Sequence, residues 1–290
     1  MGNLQDEGVN TNTKELDDIL AGDELDYIGT KRTWGTPESD LVLAPMQDYY
    51  YTIIAGTQGS GKTAYCFNLA EENTKISGLR VLFYSLEMSE DQIIMRNARN
   101  SAGITKEQWR DKTLISDAQK IKYRKRKQEI LDNKLLLLVG AGEWEDKSIE
   151  HIMSDALQFG GVTMIIIDNL DLIHMEGALG NNQRQEYISR YLLQWTNEYQ
   201  VPVVLVHHMR KDGKGIDGIR GSGKLSDDAD LVLMISRPAG EGLSDAEKRA
   251  TDILCPKDRD WGEFIAKRLY FNKGKFEDTF EGMIDGFIHF

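Results

Sequence analysis

Residues Tyr50 to Thr63 read YYTIIAGTQGSGKT, and the fold turns on this stretch. Ile53, Ile54 and Ala55 predict a buried strand. Gly56, Thr57, Gln58, Gly59, Ser60, Gly61 and Lys62 predict a tight turn, and Thr63 to Leu69 the first turns of a helix. Gly56, Gly61, Lys62 and Thr63 meet the pattern G-x-x-x-x-G-K-[ST] of a phosphate-binding loop. The residue types suit that chemistry. Gly56, Gly59 and Gly61 admit backbone conformations that a Cβ would forbid, so successive N–H groups can turn inward around a phosphate at the helix N-terminus. Lys62 can reach the β- and γ-phosphates, and the Thr63 hydroxyl can ligate Mg²⁺. The expectation is a nucleotide-binding α/β domain taking ATP or another NTP with Mg²⁺.

The chain has 290 residues, enough for one large α/β domain with a real core. No internal repeat or low-complexity tract divides it. The expected organisation is an N-terminal extension over 1–48, an ATPase domain over 49–276 and an acidic, aromatic tail over 277–290. A net charge of -12 argues against a protein that coats nucleic acid over its whole surface, and leaves room for a local basic loop. Cys66 and Cys255 lack metal-ligand spacing and fit a reducing compartment. No apolar run approaches the roughly 18 residues of a membrane span, and Met1 to Asn10 is polar, so a soluble cytoplasmic protein without a membrane partner is expected.

Outward from the turn, the chain alternates strand and helix. Residues 1–12 are polar and read as disordered or partner-bound. Thr13 to Ala21 predicts a short helix with Leu16, Ile19 and Leu20 on one face, packing on its own domain or on a neighbouring subunit. RVLFYS (80–85) predicts the second strand, and Ser89 caps a helix over 90–101. Glu87 falls just past that strand's carboxyl end, where open α/β sheets place their ligands. A carboxylate there can orient and deprotonate the water that attacks a γ-phosphate; a surface Glu is the alternative. Lys106 to Asn133 reads as helical and includes KIKYRKRK (120–127), with six basic residues in eight, either a solvated face or a nucleic-acid contact. Strand 135–139 and helix 147–159 follow. VTMIIID (162–168) predicts a central parallel strand delivering Asp168 to the Mg²⁺ shell.

VPVVLV (201–206) predicts a fifth strand leading into His207 and His208, one read as a γ-phosphate sensor and the other as packing. The loop 210–224 carries Arg210, Lys211, Lys214, Arg220 and Lys224 with five glycines, a flexible basic element suited to the phosphate backbone of single-stranded DNA. A sixth strand spans 231–235. Residues 251–255 and 264–271 predict two antiparallel strands around a tip at 256–263 that carries Lys257, Arg259 and Trp261. The tail reads as a final core strand or as a dock for a polymerase or single-strand-binding protein.

From Leu41 to Lys273 the chain resembles the ATPase domain of ring-shaped replicative helicases: the DnaB family, the phage primase-helicases and Twinkle. VLFYSLEMSEDQIIMR (81–96) is similar to the signature around that family's catalytic Glu, here Glu87. IIIDNLDLI (165–173) is similar to its Walker B segment, VPVVLVHHMRK (201–211) to its sensor strand and IRGSGKLSDDADLVLMISR (219–237) to its last motif. His208 falls where DnaB proteins have Gln and phage enzymes have His. The resemblance implies a RecA-like doubly wound fold and a ring, most simply a hexamer, that hydrolyses NTP between subunits and pulls on single-stranded DNA. It implies that Lys257 and Arg259 reach a neighbour's nucleotide in trans, and that Phe271 stacks on the base. About 50 residues precede the turn, too few for the family's usual primase or collar domain, so a separate primase is an expected partner. A RecA-class repair ATPase that forms filaments, and a nucleotide switch that binds no DNA, are the rival readings.

Overall fold

The computed structural model describes residues 32–37, 39, 43, 46–75, 79–142, 147–175, 180–209, 219, 223–260, 262 and 265–279. Through them run β1 (Tyr51–Gly56), α1 (Lys62–Thr74), β2 (Val81–Ser85), α2 (Glu90–Ser101), α3 (Lys106–Arg110), α4 (Asp117–Asp132), β3 (Leu136–Val139), α5 (Ile149–Gln158) and β4 (Met164–Asp168). After them come α6 (Asn181–Tyr199), β5 (Val203–His208), α7 (Gly223–Asp228), β6 (Leu231–Ser236), α8 (Asp245–Arg249), β7 (Ala250–Asp258), β8 (Ile265–Asn272) and β9 (Lys275–Glu277). The expected helix over 13–21 and the tail beyond 279 lie outside the described residues.

Among the described residues, nine strands form one sheet in the order β3-β2-β4-β5-β1-β6-β7-β8-β9. β1 pairs in parallel with both β5 and β6, and β2, β3 and β4 continue the parallel set. β7, β8 and β9 add on antiparallel. The central strands are apolar along their length because both faces are covered. Ile54, Phe83, Ile166 and Val204 face a core with α1, α2 and α4, while Ile53, Leu82, Ile165 and Leu205 face α5 and α6. Each such side chain, fully buried, contributes about 1.5–3 kcal/mol. The parallel register sets Ser85 beside Asp168 and Gly56 beside His208, so the carboxyl ends of four strands open onto one edge.

Three local readings are corrected. Lys106 to Asn133 is not one helix: Thr105 with Gln108 and Ser116 with Gln119 form capping boxes that start α3 and α4 separately. Pro202 precedes β5 rather than sitting inside it. β7 runs on through Pro256 to Asp258, because Cys255 and Pro256 together oppose Leu233 in a bulge where no ladder N–H is needed. The expected antiparallel hairpin is β7 and β8, and β9 pairs with β8 as a further strand. Upstream of β1, Trp34 is 1% exposed; its carbonyl accepts a hydrogen bond from the Tyr65 hydroxyl at 2.8 Å, tying this segment to α1.

Candidate nucleotide site

β1 ends at Gly56, and two different constraints demand glycine in the turn that follows. A Cβ on Gly56 would stand 2.4 Å from the Ile235 carbonyl oxygen of β6, so this position needs space rather than the unusual backbone expected from the sequence. Gly59 (φ 80°) and Gly61 (φ 104°) are the left-handed positions. Gly61 caps α1 without a side-chain hydrogen bond, and the first turn of α1 holds no acid. The helix therefore presents backbone N–H groups free of side-chain acceptors to an anion. Lys62 is 5% exposed, and its Nζ donates to the carbonyls of Gly56 and Thr57, both at 2.8 Å. Burial lowers its pKa below the usual ammonium range, against the nearby charge of Asp168.

β4, buried at every position, delivers Asp168, which is 3% exposed. Burial raises the Asp168 pKa to about 6, against the neighbouring Thr63 hydroxyl and with Glu87 adding to the rise. The Leu86 N–H donates to the Asp168 carbonyl at 2.6 Å, which sets exposed Glu87 beside the end of β4. β5 carries two histidines with different surroundings. His207 is fully buried, its Nδ1 3.8 Å from Asp171 Oδ1, whereas half-buried His208 faces the edge where these strands end. Between Glu87 and His208 lies Asn169, joined to Asp168 by a cis peptide bond, with its Nδ2 3.3 Å from Glu87 Oε2 and 3.3 Å from His208 Nε2.

These groups line one cavity of about 450 Å³ that brings Gln58, Gly59, Gly61, Lys62, Thr63, Glu87, Asp168, His208 and Phe271 together. Phe271 packs against Phe276, ring centres 5.0 Å apart, on the wall formed by β8 and β9. Arg96, Arg99, Asn100 and Arg237 also line it, and the sequence reading gave none of them a role. Arg96 closes the 81–96 stretch and Arg237 the 219–237 stretch, so the signal for both lay at the ends of segments already singled out. No set of three His, Cys, Asp or Glu side chains able to hold a metal occurs among the described residues. A hydroxyl, from Thr63, and one carboxylate, from Asp168, on one cavity fit Mg²⁺, which binds few protein ligands and completes its shell with phosphate and water.

Lys257 and Arg259 do not join this cavity in their own chain. Lys257 Nζ donates to the carbonyls of Ser226 and Asp227 at 2.7 and 2.8 Å. Arg259 pairs with Asp230 at 2.6 Å and donates to the carbonyls of Asp227 and Asp228. Both cations thus hold the C-terminal end of α7. Arg210, Lys211, Lys214 and Arg220 lie outside the described residues, as does the Lys224 side chain. A bridge between Met209 and Ile219 brings the two ends of the 210–218 segment together.

A family model described as the DnaB-like helicase C-terminal domain matches residues 34–278. The chain is 30% identical over 282 residues to the replicative DNA helicase DnaB of Haemophilus influenzae, covering 90% of this chain and 57% of that one. It is 28% identical over 244 residues to the replicative DNA helicase DnaC of Bacillus subtilis, covering 78% of this chain and 51% of that one. The chain thus spans little more than half the length of these relatives. Two solved structures share its RecA-like fold. One, described as an ATPase domain, aligns with a TM-score of 0.76 at 22% identity, covering 92% of this chain and 96% of that one. A DnaB-like replicative helicase, studied with its interactions with primase, aligns at 0.73 and 22% identity, covering 93% and 67%. With its fold, its phosphate-binding turn and a match running from Trp34 to Asp278, the chain belongs to the DnaB-like helicase C-terminal domain family.

Proposed function

We propose that this chain is the motor of a replicative DNA helicase, hydrolysing ATP or another NTP to draw single-stranded DNA through a ring of identical subunits, read as a hexamer. The observation that carries the reading is that Thr63 and Asp168 line the same cavity as Lys62 and Glu87, in a chain of this family.

Lys62 exchanges its two carbonyl partners for oxygens of the β- and γ-phosphates. Thr63 and Asp168 are the residues that would hold Mg²⁺, which when bound neutralises charge developing on those phosphates. Glu87 takes a proton from water as the water oxygen bonds to the γ-phosphorus and the bond to the β–γ bridging oxygen breaks, releasing NDP. Phe271 stacks on the base. His208 reports the γ-phosphate to the 210–224 loop, where Arg210, Lys211, Lys214, Arg220 and Lys224 meet DNA phosphates. Lys257 and Arg259 act on a neighbour's nucleotide. A primase, a polymerase or a single-strand-binding protein is the further partner, and the ring works in the cytoplasm.

Glu87→Gln tests the chemical step. It should bind ATP as the parent does and hold it unhydrolysed, with the rate down ~10²-fold or more. An unchanged kcat would remove Glu87 from this role.

A further inference from the structure

Asn169 follows the last residue of β4 and is 2% exposed. Its Oδ1 accepts the Asp171 N–H at 3.0 Å, which fixes the orientation of the amide and turns Nδ2 toward both Glu87 Oε2 and His208 Nε2, each 3.3 Å away. An amide nitrogen carries two hydrogens and accepts none, so one goes to the carboxylate and the other to the ring nitrogen. His208 Nε2 is therefore an acceptor in this arrangement, and the neutral ring carries its hydrogen on Nδ1.

We propose that Asn169 is a positioning residue that couples Glu87 to His208 through its amide nitrogen. The proposal rests on the roles given above to those two side chains. While Nε2 accepts from Asn169, it has no hydrogen to give a γ-phosphate oxygen. Engaging the phosphate through Nε2 requires the ring to turn or to take a proton there, and either event breaks its contact with Asn169. The Asn169 Nδ2 then keeps only Glu87, so the arrival and loss of the γ-phosphate at His208 alter the hydrogen bonding of the carboxylate that activates water.

A double-mutant cycle tests this on the full chain, reading ATP hydrolysis and binding of a fluorescent ATP analogue. Asn169→Ala should lower kcat roughly tenfold or more while the Kd of the analogue moves less than about threefold. His208→Ala should also lower kcat, and Asn169→Ala/His208→Ala should be no slower than the slower single variant. Asn169→Ser, which keeps one donor hydrogen, should fall between parent and Asn169→Ala. Asn169→Asp keeps the shape and sets a like charge beside Glu87, so it should be slower than Asn169→Ala. If Asn169→Ala melts below the assay temperature, the cycle is run with Asn169→Ser. Single losses that multiply in the double variant, or an Asn169→Asp enzyme as fast as the parent, would overturn the coupling. An unchanged kcat in Glu87→Gln would instead defeat the roles on which it rests, so the two failures are distinct.

Discussion

Thr63 and Asp168 line one cavity, where the start of α1 meets the end of β4. Burial holds the Asp168 pKa at about 6, against the neighbouring Thr63 hydroxyl, which favours the ionised acid. The folded value lies above the 3.8 of an unfolded chain, so ionising Asp168 costs stability. The cost grows from about pH 4 to about pH 6 and is full above that. Asp168→Asn should therefore raise the melting temperature of the metal-free protein by a few degrees near neutral pH and above, with the gain vanishing near pH 4. The same variant should lose Mg²⁺-dependent hydrolysis. Calorimetry in a chelator checks the sign; a melting temperature below the parent's at about pH 8 would contradict it.

Lys62 is held by two carbonyls of its own turn, so its ammonium is in place before a phosphate arrives. Lys62→Ala removes at least one charge-assisted bond to nucleotide, each contributing about 1.5–3 kcal/mol. Affinity for ATP should fall roughly 10- to 100-fold or more, measured by titration with a fluorescent analogue, with the secondary structure intact by circular dichroism.

Arg259 is tied to Asp230 and to carbonyls of α7 in its own chain. An arginine acting on a neighbour's transition state typically contributes ~10³ to 10⁵ in rate. Arg259→Ala should lower kcat by about that range and leave nucleotide binding nearly intact. Mixing Arg259→Ala with Lys62→Ala should recover part of the activity, since a ring of both contains intact sites at some junctions. Normal hydrolysis by Arg259→Ala alone would end the trans assignment.

Lys211 and Lys214 are given to the DNA backbone on charge and glycine content. Each phosphate contact steepens the dependence of log K on log salt by about 0.7 for a single strand. Lys211→Ala/Lys214→Ala should flatten that slope by about 1.4 if each makes one contact. An unchanged slope would place the DNA elsewhere.

The phosphate-binding turn, Glu87 and Asp168 were legible because each is signalled locally, by glycine spacing or by a strand that ends in an acid. The same locality explains the misreadings. Capping boxes at Thr105 and Ser116 lie inside a stretch whose polar composition reads as continuous helix. Pro256 argues against a strand until the bulge opposite Leu233 is known, and the space that forces Gly56 belongs to β6, far along the chain. Asn169 matters through contacts with Glu87 and His208 that form only when separate strands end on one edge, so its own stretch could not announce them.

The central claim is that hydrolysis serves movement on DNA and takes place between subunits. Its most direct test is the NTP hydrolysis rate with and without single-stranded DNA across a series of protein concentrations. The account predicts strong stimulation by DNA that appears only above an assembly threshold, because the site needs a neighbour's Arg259. A rate per subunit that is flat in protein concentration and indifferent to DNA would contradict it.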